Sequence, residues 1–262
     1  MTFTDSITPF LFSAPLINAH SFASLEAFSS VKSNGSFDAQ RCKIFKNDNQ
    51  FTIEFTHPCK QLILSLVKSK LLSGATIDED NKSVVFTASC VKTYKQFMDE
   101  IKLFNGTSKL CYEFSLKMVA SLITQLQYLL NNYMCFYMYN TDNIIVINDI
   151  TFVYIGCALP SLLENPIDSA IINITNPFSK TNCFVSPELS VIKTLPFKID
   201  HKTIYYSLGL LIIHALSNID VDVLHNSEHV IDFIKAIKGT KLYWLIFRCL
   251  NNDINQRCVL YV

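Results

Sequence analysis

KLYWLIFRCLNNDINQR, residues 241–257, is the stretch on which the reading of the fold turns. Leu242, Leu245, Ile246 and Leu250 recur at helical spacing and give the segment one apolar face. A polar turn follows, and then Arg257. The chain has three arginines against 19 lysines. An arginine kept where lysine is the default points to a position that needs the flat, bidentate guanidinium fork.

Working outward, composition sets the bounds. The 262 residues suffice for one large domain or two lobes. Half are apolar and 17% are charged, so a large core is expected and disorder is not. With 22 basic and 22 acidic residues the net charge is zero, which gives no electrostatic case for nucleic acid or an anionic membrane as partner. The nine cysteines never fall within five residues of one another, so no zinc-ribbon spacing exists. They read as reduced thiols in a cytosolic setting. The first residues, MTFTDSITPFLFSAPLINA, make a poor secretory signal, with Asp5 and Pro9 and no basic leader. The most apolar run, Tyr205–Leu216, is too short to span a bilayer and suits a helix buried on all sides. Asn34, Asn81, Asn105 and Asn173 occupy glycosylation sequons, read as chance matches in an Asn-rich chain without an export signal.

Periodicity then orders the chain. Residues 39–46 and 50–56 predict a hairpin around KNDN, and 59–72 a helix through Leu62 and Leu66 that stops at Ser73-Gly74. ATID and SVVFTAS flank EDNK as a second hairpin. From Val91 the period becomes helical, with Tyr94, Phe97, Ile101 and Phe104 on one face up to Asn105-Gly106. A longer helix carries Phe114, Met118, Leu122, Leu126 and Leu129. CFYMY, NIIVI and ITFVYI read as short strands, the last two joined by Asn148-Asp149. Residues 160–187 read as a loop, and the remainder as helices at about 201–217, 227–238 and 241–250. Strands followed by helices indicate α+β rather than alternating α/β.

This order resembles the protein kinase-like superfamily over roughly residues 110–257, and specifically a degenerate, pseudokinase member; the Asn-, Ile- and Lys-rich composition fits an AT-rich source such as a large DNA virus. Kinases close their large lobe with a Leu-x-x-x-Leu helix, an Asp-containing turn and an arginine that pairs with a buried glutamate of an upstream Pro-Glu. Here Asp253, Arg257, Pro187 and Glu188 match those features. The resemblance implies a two-lobed fold, with a degenerate strand-rich N-lobe over 1–90 and a mainly helical C-lobe over 91–262 that lacks the final helix. It also implies that the chemistry is missing. Aligning on Asn143 sets Phe136, Tyr137 and Met138 where His-Arg-Asp would stand, so the general base is replaced by a thioether. Asn140 stands for the loop lysine. Tyr154-Ile155-Gly156 takes the place of Asp-Phe-Gly, losing the metal carboxylate while Gly156 keeps the backbone freedom of the motif. Gly35 alone represents the phosphate-cradling glycine loop, and Glu54 falls near the expected lysine, for which Lys43 or Lys46 could be argued. Ile204 replaces the aspartate that opens the central helix, ahead of the retained Tyr206-Ser207-x-Gly209.

Other constellations weigh less. His225-Asn226-Ser227-Glu228-His229 matches the inverted zincin pattern, but Asn226 or Ser227 as a helix cap with Glu228 in the first turn is the favoured reading. Ser186 and Ser207 with His201 or His214 lack a nucleophile elbow. Tyr128, Tyr133, Phe136, Tyr137 and Tyr139 read as core rather than a base-stacking surface. The sequence thus predicts a catalytically inactive, cytoplasmic protein-binding or scaffolding module with a viral or host protein partner. It predicts no catalytic, cofactor or metal residues, no nucleotide, no nucleic acid and no membrane insertion. The alternatives are a divergent active Ser/Thr kinase using Asp142, Asp149 or Glu54 in new roles, and a structural assembly protein unrelated to kinases.

Overall fold

Alternating burial builds the first layer. In the computed structural model, which describes residues 37–39, 42–156, 161–164, 170–226 and 230–259, β2 (Cys42–Asn47), β3 (Gln50–Phe55) and β5 (Ser83–Thr87) turn Cys42, Ile44, Ile53, Phe55, Val84 and Phe86 inward. Lys43, Phe45 and Glu54 face solvent, the two-period pattern of a half-buried sheet. With β1 (Phe37–Ala39) and β4 (Ser73–Ile77) they form a five-stranded sheet in the order β1-β2-β3-β5-β4. One helix, α1 (Lys60–Lys68), sits between β3 and β4 in sequence and buries Leu62, Ile63, Ser65 and Leu66.

The next segment, β6 (Val91–Thr93), leads into α2 (Tyr94–Asn105) through a capping box made by Thr93 and Gln96, and Gly106 ends the helix in the left-handed conformation. Tyr94, Phe97 and Ile101 are buried as the spacing predicts. Phe104 is 57% exposed, because it sits in the last turn, beyond the elements that α2 covers. The 20-residue α3 (Tyr112–Asn131) follows and packs on α1 and on the strands after it. CFYMY is not one strand. It splits into β7 (Met134–Cys135) and β8 (Tyr139–Asn140), with residues 136–138 as a buried connection. After a 3-10 turn, Thr141–Asn143, come β9 (Ile144–Ile147) and β10 (Thr151–Tyr154), and the sheet order β10-β9-β6 makes α2's lead-in strand part of this hairpin. The three-residue connection has positive φ at Asn148 and at Asp149, and the Ile150 N–H donates to the Ile147 carbonyl at 3.2 Å, as a type I′ turn requires. Asn148 Oδ1 also accepts from the backbone N–H and hydroxyl of Ser89, at 2.7 and 2.8 Å, tying the end of the sheet half to this turn.

The span read as a loop contains strands. β11 (Ser161–Glu164), β12 (Ile171–Ile174) and β14 (Phe197–Asp200) add to β7 in the order β14-β12-β11-β7, while β13 (Cys183–Phe184) pairs with β8. Between them lies the single turn α4 (Pro187–Ser190), capped by Ser186. The centre of this half is α5 (Thr203–Ser217), which buries Ile204, Ser207, Leu208, Gly209 and the run Leu210–Ile213. It is flanked by α6 (Val221–Asn226), a 3-10 segment at Val230–Ile237 where a continuous helix was predicted, and α7 (Lys241–Cys249). Every strand pairing among the described residues is antiparallel. The fold is therefore mixed helix and strand with small antiparallel sheets. No helix among the described residues is long and apolar enough to cross a membrane.

Candidate functional site

Two places gather the residues singled out by the sequence. At the first, α4 and the turn after α7 meet. Arg257 is wholly buried; its Nη2 donates to Glu188 Oε1 at 2.6 Å and its Nη1 to Glu188 Oε2 at 3.1 Å. Its Nε donates to the carbonyl of Asn251 at 2.7 Å, and the guanidinium lies over the Tyr206 ring at 4.8 Å. The cation is thus satisfied on its edge by a carboxylate and a carbonyl and on its face by an aromatic ring. Burial pushes the Glu188 carboxyl up, but the hydrogen bonds from Arg257 and its neighbours outweigh it and hold the pKa below the usual glutamate value. Asp253 caps the short 3-10 turn Ile254–Gln256 that delivers Arg257.

At the second place, the residues standing where a kinase-like chemistry would be sought are packed into the core. Met138 is buried between β7 and β8. Asn143 is buried too, and its Nδ2 and backbone N–H both donate to Asn140 Oδ1, at 2.7 and 3.1 Å. Its carbonyl accepts from the N–H of Ile155 at 2.8 Å, which brings the two motif positions side by side. The Tyr154 ring is wedged edge-on against Phe136 and Tyr139, each centroid 4.8 Å away. Gly156 serves here through the space it leaves: a Cβ on it would stand 2.2 Å from the Tyr154 ring. Its φ is not in the positive range, so the expectation that it supplies backbone freedom is corrected to one of close approach. Beside it lies a cavity of about 20 Å³, room for one water molecule, lined by Phe55, His57, Leu62 and Gly156 among others.

Ile204 is buried in the first turn of α5 and leaves no polar group to hold the preceding loop. Ser207, one turn further on, does so instead: its Oγ accepts from the backbone N–H of Tyr139 at 2.7 Å. Gly209 lets α7 come close, since a Cβ there would meet Leu250 Cδ2 at 2.9 Å. Gln125 was not predicted at all. It is buried in α3, accepts from the Tyr154 N–H at 2.9 Å and donates to the Tyr154 carbonyl at 2.8 Å and to Ser65 Oγ of α1 at 3.3 Å. One side chain thereby fixes the backbone of β10 and couples it to the helix of the sheet half. The signal was present: a glutamine interrupts the apolar stripe between Leu122 and Leu129.

The carboxylates proposed for new roles do not form one polar site. Glu54 is exposed on β3 opposite Lys43 and lines a surface hollow with Phe45, Asp78 and Lys82. Asp149 is bound to Lys92, which also holds Glu100. Asp142 is exposed on the 3-10 turn. Lys46 lies over the Phe51 ring. No group of three or more His, Cys, Asp or Glu side chains among the described residues could hold a metal. His225 accepts from the Val185 N–H through Nε2 at 3.0 Å, while Ser227, Glu228 and His229 lie outside the described residues, as does Gly35. Of the cysteines described, 90, 111, 135, 249 and 258 are free thiols. No protein-family model matches the sequence, and no curated protein is detectably similar to it.

Proposed function

We propose that this chain is a catalytically silent, protein-kinase-like module that acts by binding other proteins. The reading rests on one observation above the rest. The position aligned with the family's general base is a buried methionine, Met138, and the position aligned with its metal carboxylate is a buried tyrosine, Tyr154, closed in by Phe136 and Tyr139. A thioether cannot take a proton from a hydroxyl, and a phenol locked among rings is no ligand for a hard cation. Further support comes from the element order, a strand-rich half with one inserted helix followed by a helical half, and from the pairing of the buried Arg257 with Glu188. Among the described residues, the positions aligned with the general base and the metal carboxylate carry side chains unsuited to phosphoryl transfer, while the architectural pair is in place.

Nucleotide binding and transfer test this. A ligand that binds only the folded state stabilises it by about 2.7 kcal/mol at 100 times its Kd. The protein should show no magnesium-dependent rise in melting temperature with millimolar ATP, and no transfer of radiolabel to itself or to a generic basic substrate. Asn143→Ala should lose stability only, because its amide bonds to Asn140. A folded Asn143→Ala protein that has lost a phosphotransfer activity present in wild type would sink the reading.

A further inference from the structure

The chain has a single tryptophan, and the fold leaves it half-exposed: Trp244 on α7 is 48% accessible, as is Phe247 three residues on. α7 needs neither ring for its own packing. It docks on α5 and the neighbouring 3-10 segment through Leu242, Leu245, Ile246 and Cys249, all fully buried. The outward rings are instead arranged against each other and against Tyr243. Trp244 meets Phe247 edge-on at 5.7 Å and Tyr243 edge-on at 5.4 Å, and Tyr243 stacks on Phe247 at 6.4 Å. The result is a pre-organised aromatic cluster with few rotamers left to lose.

The charges carried by the adjoining stretch of chain, residues 230–249, are mostly basic. Lys241 lies one turn before Trp244 on the same helix face and Lys238 is exposed just ahead of the helix, while Arg248, one turn after, is half-buried and already engaged. Residues 230–249 carry four cations and one carboxylate, Asp232, which is held by Lys235 at 3.2 Å. α5, beneath, has no Asp, Glu, Lys or Arg over its length. In a chain of zero net charge this is a local cationic surface around an aromatic centre. Half-exposed aromatic anchors are the composition of binding hot spots. The cationic rim selects a negatively charged partner and raises its encounter rate.

We propose that this face of α7 is the docking site for an acidic amphipathic segment of a partner protein, one or two apolar anchors flanked by carboxylates. This rests on the protein-binding reading and names the chemistry of the partner. An anionic membrane fits less well, because the aliphatic face of α7 is turned into the core and only the two rings are left to enter lipid. Single-stranded nucleic acid fits less well, because the rings are engaged with one another rather than spaced as open stacking platforms.

Selection from a random 16-residue peptide library, with wild-type protein as bait, tests it. Enriched peptides should carry net negative charge and at least one Leu, Phe or Trp. A synthetic copy should blue-shift the fluorescence of Trp244, the only tryptophan, and bind more weakly as salt rises. Trp244→Ala, and separately the exposed pair Lys238→Glu with Lys241→Glu, should each weaken binding at least ten-fold at unchanged melting temperature. Enriched peptides that bind these variants as well as wild type overturn the site and leave the protein-binding reading standing. Selection of basic or neutral peptides, or of none, overturns the proposal. So does a Trp244 shift given by phosphatidylserine vesicles or oligouridylate but not by acidic peptide.

Discussion

The Glu188–Arg257 corner and the Met138–Tyr154 centre are built from opposite chemistry and lie at different depths: Arg257, Met138 and Tyr154 are buried, whereas Glu188, expected to be buried too, keeps 27% of its side chain exposed. The corner holds a full ion pair with a ring stacked on it. The centre is aromatic and sulfur-bearing, and its polar groups are backbone amides met by Gln125, Asn140 and Ser207. A buried charge is tolerated only when paired and hydrogen-bonded, and the corner meets that condition at every donor described. The centre avoids the problem by carrying no charge. The contrast teaches that an ion pair with a buried arginine can be held for the geometry it imposes, while the Met138–Tyr154 site, expected to lack chemistry, is filled as core.

The sharpest way to break the contrast is to remove the charge at the corner. Arg257→Ala leaves Glu188 without its partner; because Glu188 is partly exposed, the loss should lie at the lower end of that for a buried pair, about 3 kcal/mol. The melting temperature should fall by roughly 10 °C, and Arg257→Lys, which keeps the charge but not the fork, should fall between. A variant within about 3 °C of wild type would show that the pair holds nothing together. Because the Glu188 pKa lies below its unfolded value, the pair's contribution is complete above about pH 4.3 and is lost as pH falls through the folded value.

The matching change at the centre is steric. Gly156→Ala drives a methyl into the Tyr154 ring, and overpacking of that kind costs about 3 kcal/mol at the upper end of the usual range. Combining it with Tyr154→Leu should recover part of the loss, a coupling readable by a double-mutant denaturation cycle; strictly additive effects would mean that the two sites do not meet. Gln125→Leu comes next. It strands the Tyr154 N–H and carbonyl, for about 2 kcal/mol. Hydrogen exchange should rise in β10 and α1 before it rises in α5; uniform exchange would refute a local coupling role.

The smallest effect expected is a titration. The His225 ring must be neutral at Nε2 to accept from Val185, and burial, opposed by Asp222, holds its pKa below the usual histidine value. As pH falls the unfolded chain takes up the proton first. The contribution is therefore whole above about pH 6.5 and is lost on acidification through the folded value. Melting temperature should decline more steeply between pH 7 and 5 in wild type than in His225→Gln. Identical slopes would remove His225 from the account.

What could be read from the sequence followed from length and period. α3, α5 and α7 declare themselves because an apolar residue returns every three or four positions over two or more turns. The hairpin turn at Asn148-Asp149 declares itself by residue types that tolerate positive φ. The strands between 161 and 184 could not be seen, since two to four residues are too few for alternation to register. Phe104 misled because periodicity reports a stripe and not where the covering element stops. Arg257 stands out by the scarcity of arginine, but its pairing with Glu188 could be named only through a resemblance, and the partners of Gln125 and Ser207 could not be named at all. Those partners are backbone amides 29 and 68 residues away, and which backbone group a side chain meets leaves no trace in a side-chain pattern.

The corner also has a consequence for how the protein is made. Glu188 precedes Arg257 by 69 residues. At synthesis rates of about 5–20 residues per second, the carboxylate waits roughly 3–14 s for its cation. Until then Tyr206 has no guanidinium over its ring and the α4 turn carries a lone negative charge. Closure of this half is therefore a late event in the growing chain rather than one that tracks emergence segment by segment. A nascent chain halted before residue 257 is expected to stay open to protease there, long after the strand-rich half has become resistant.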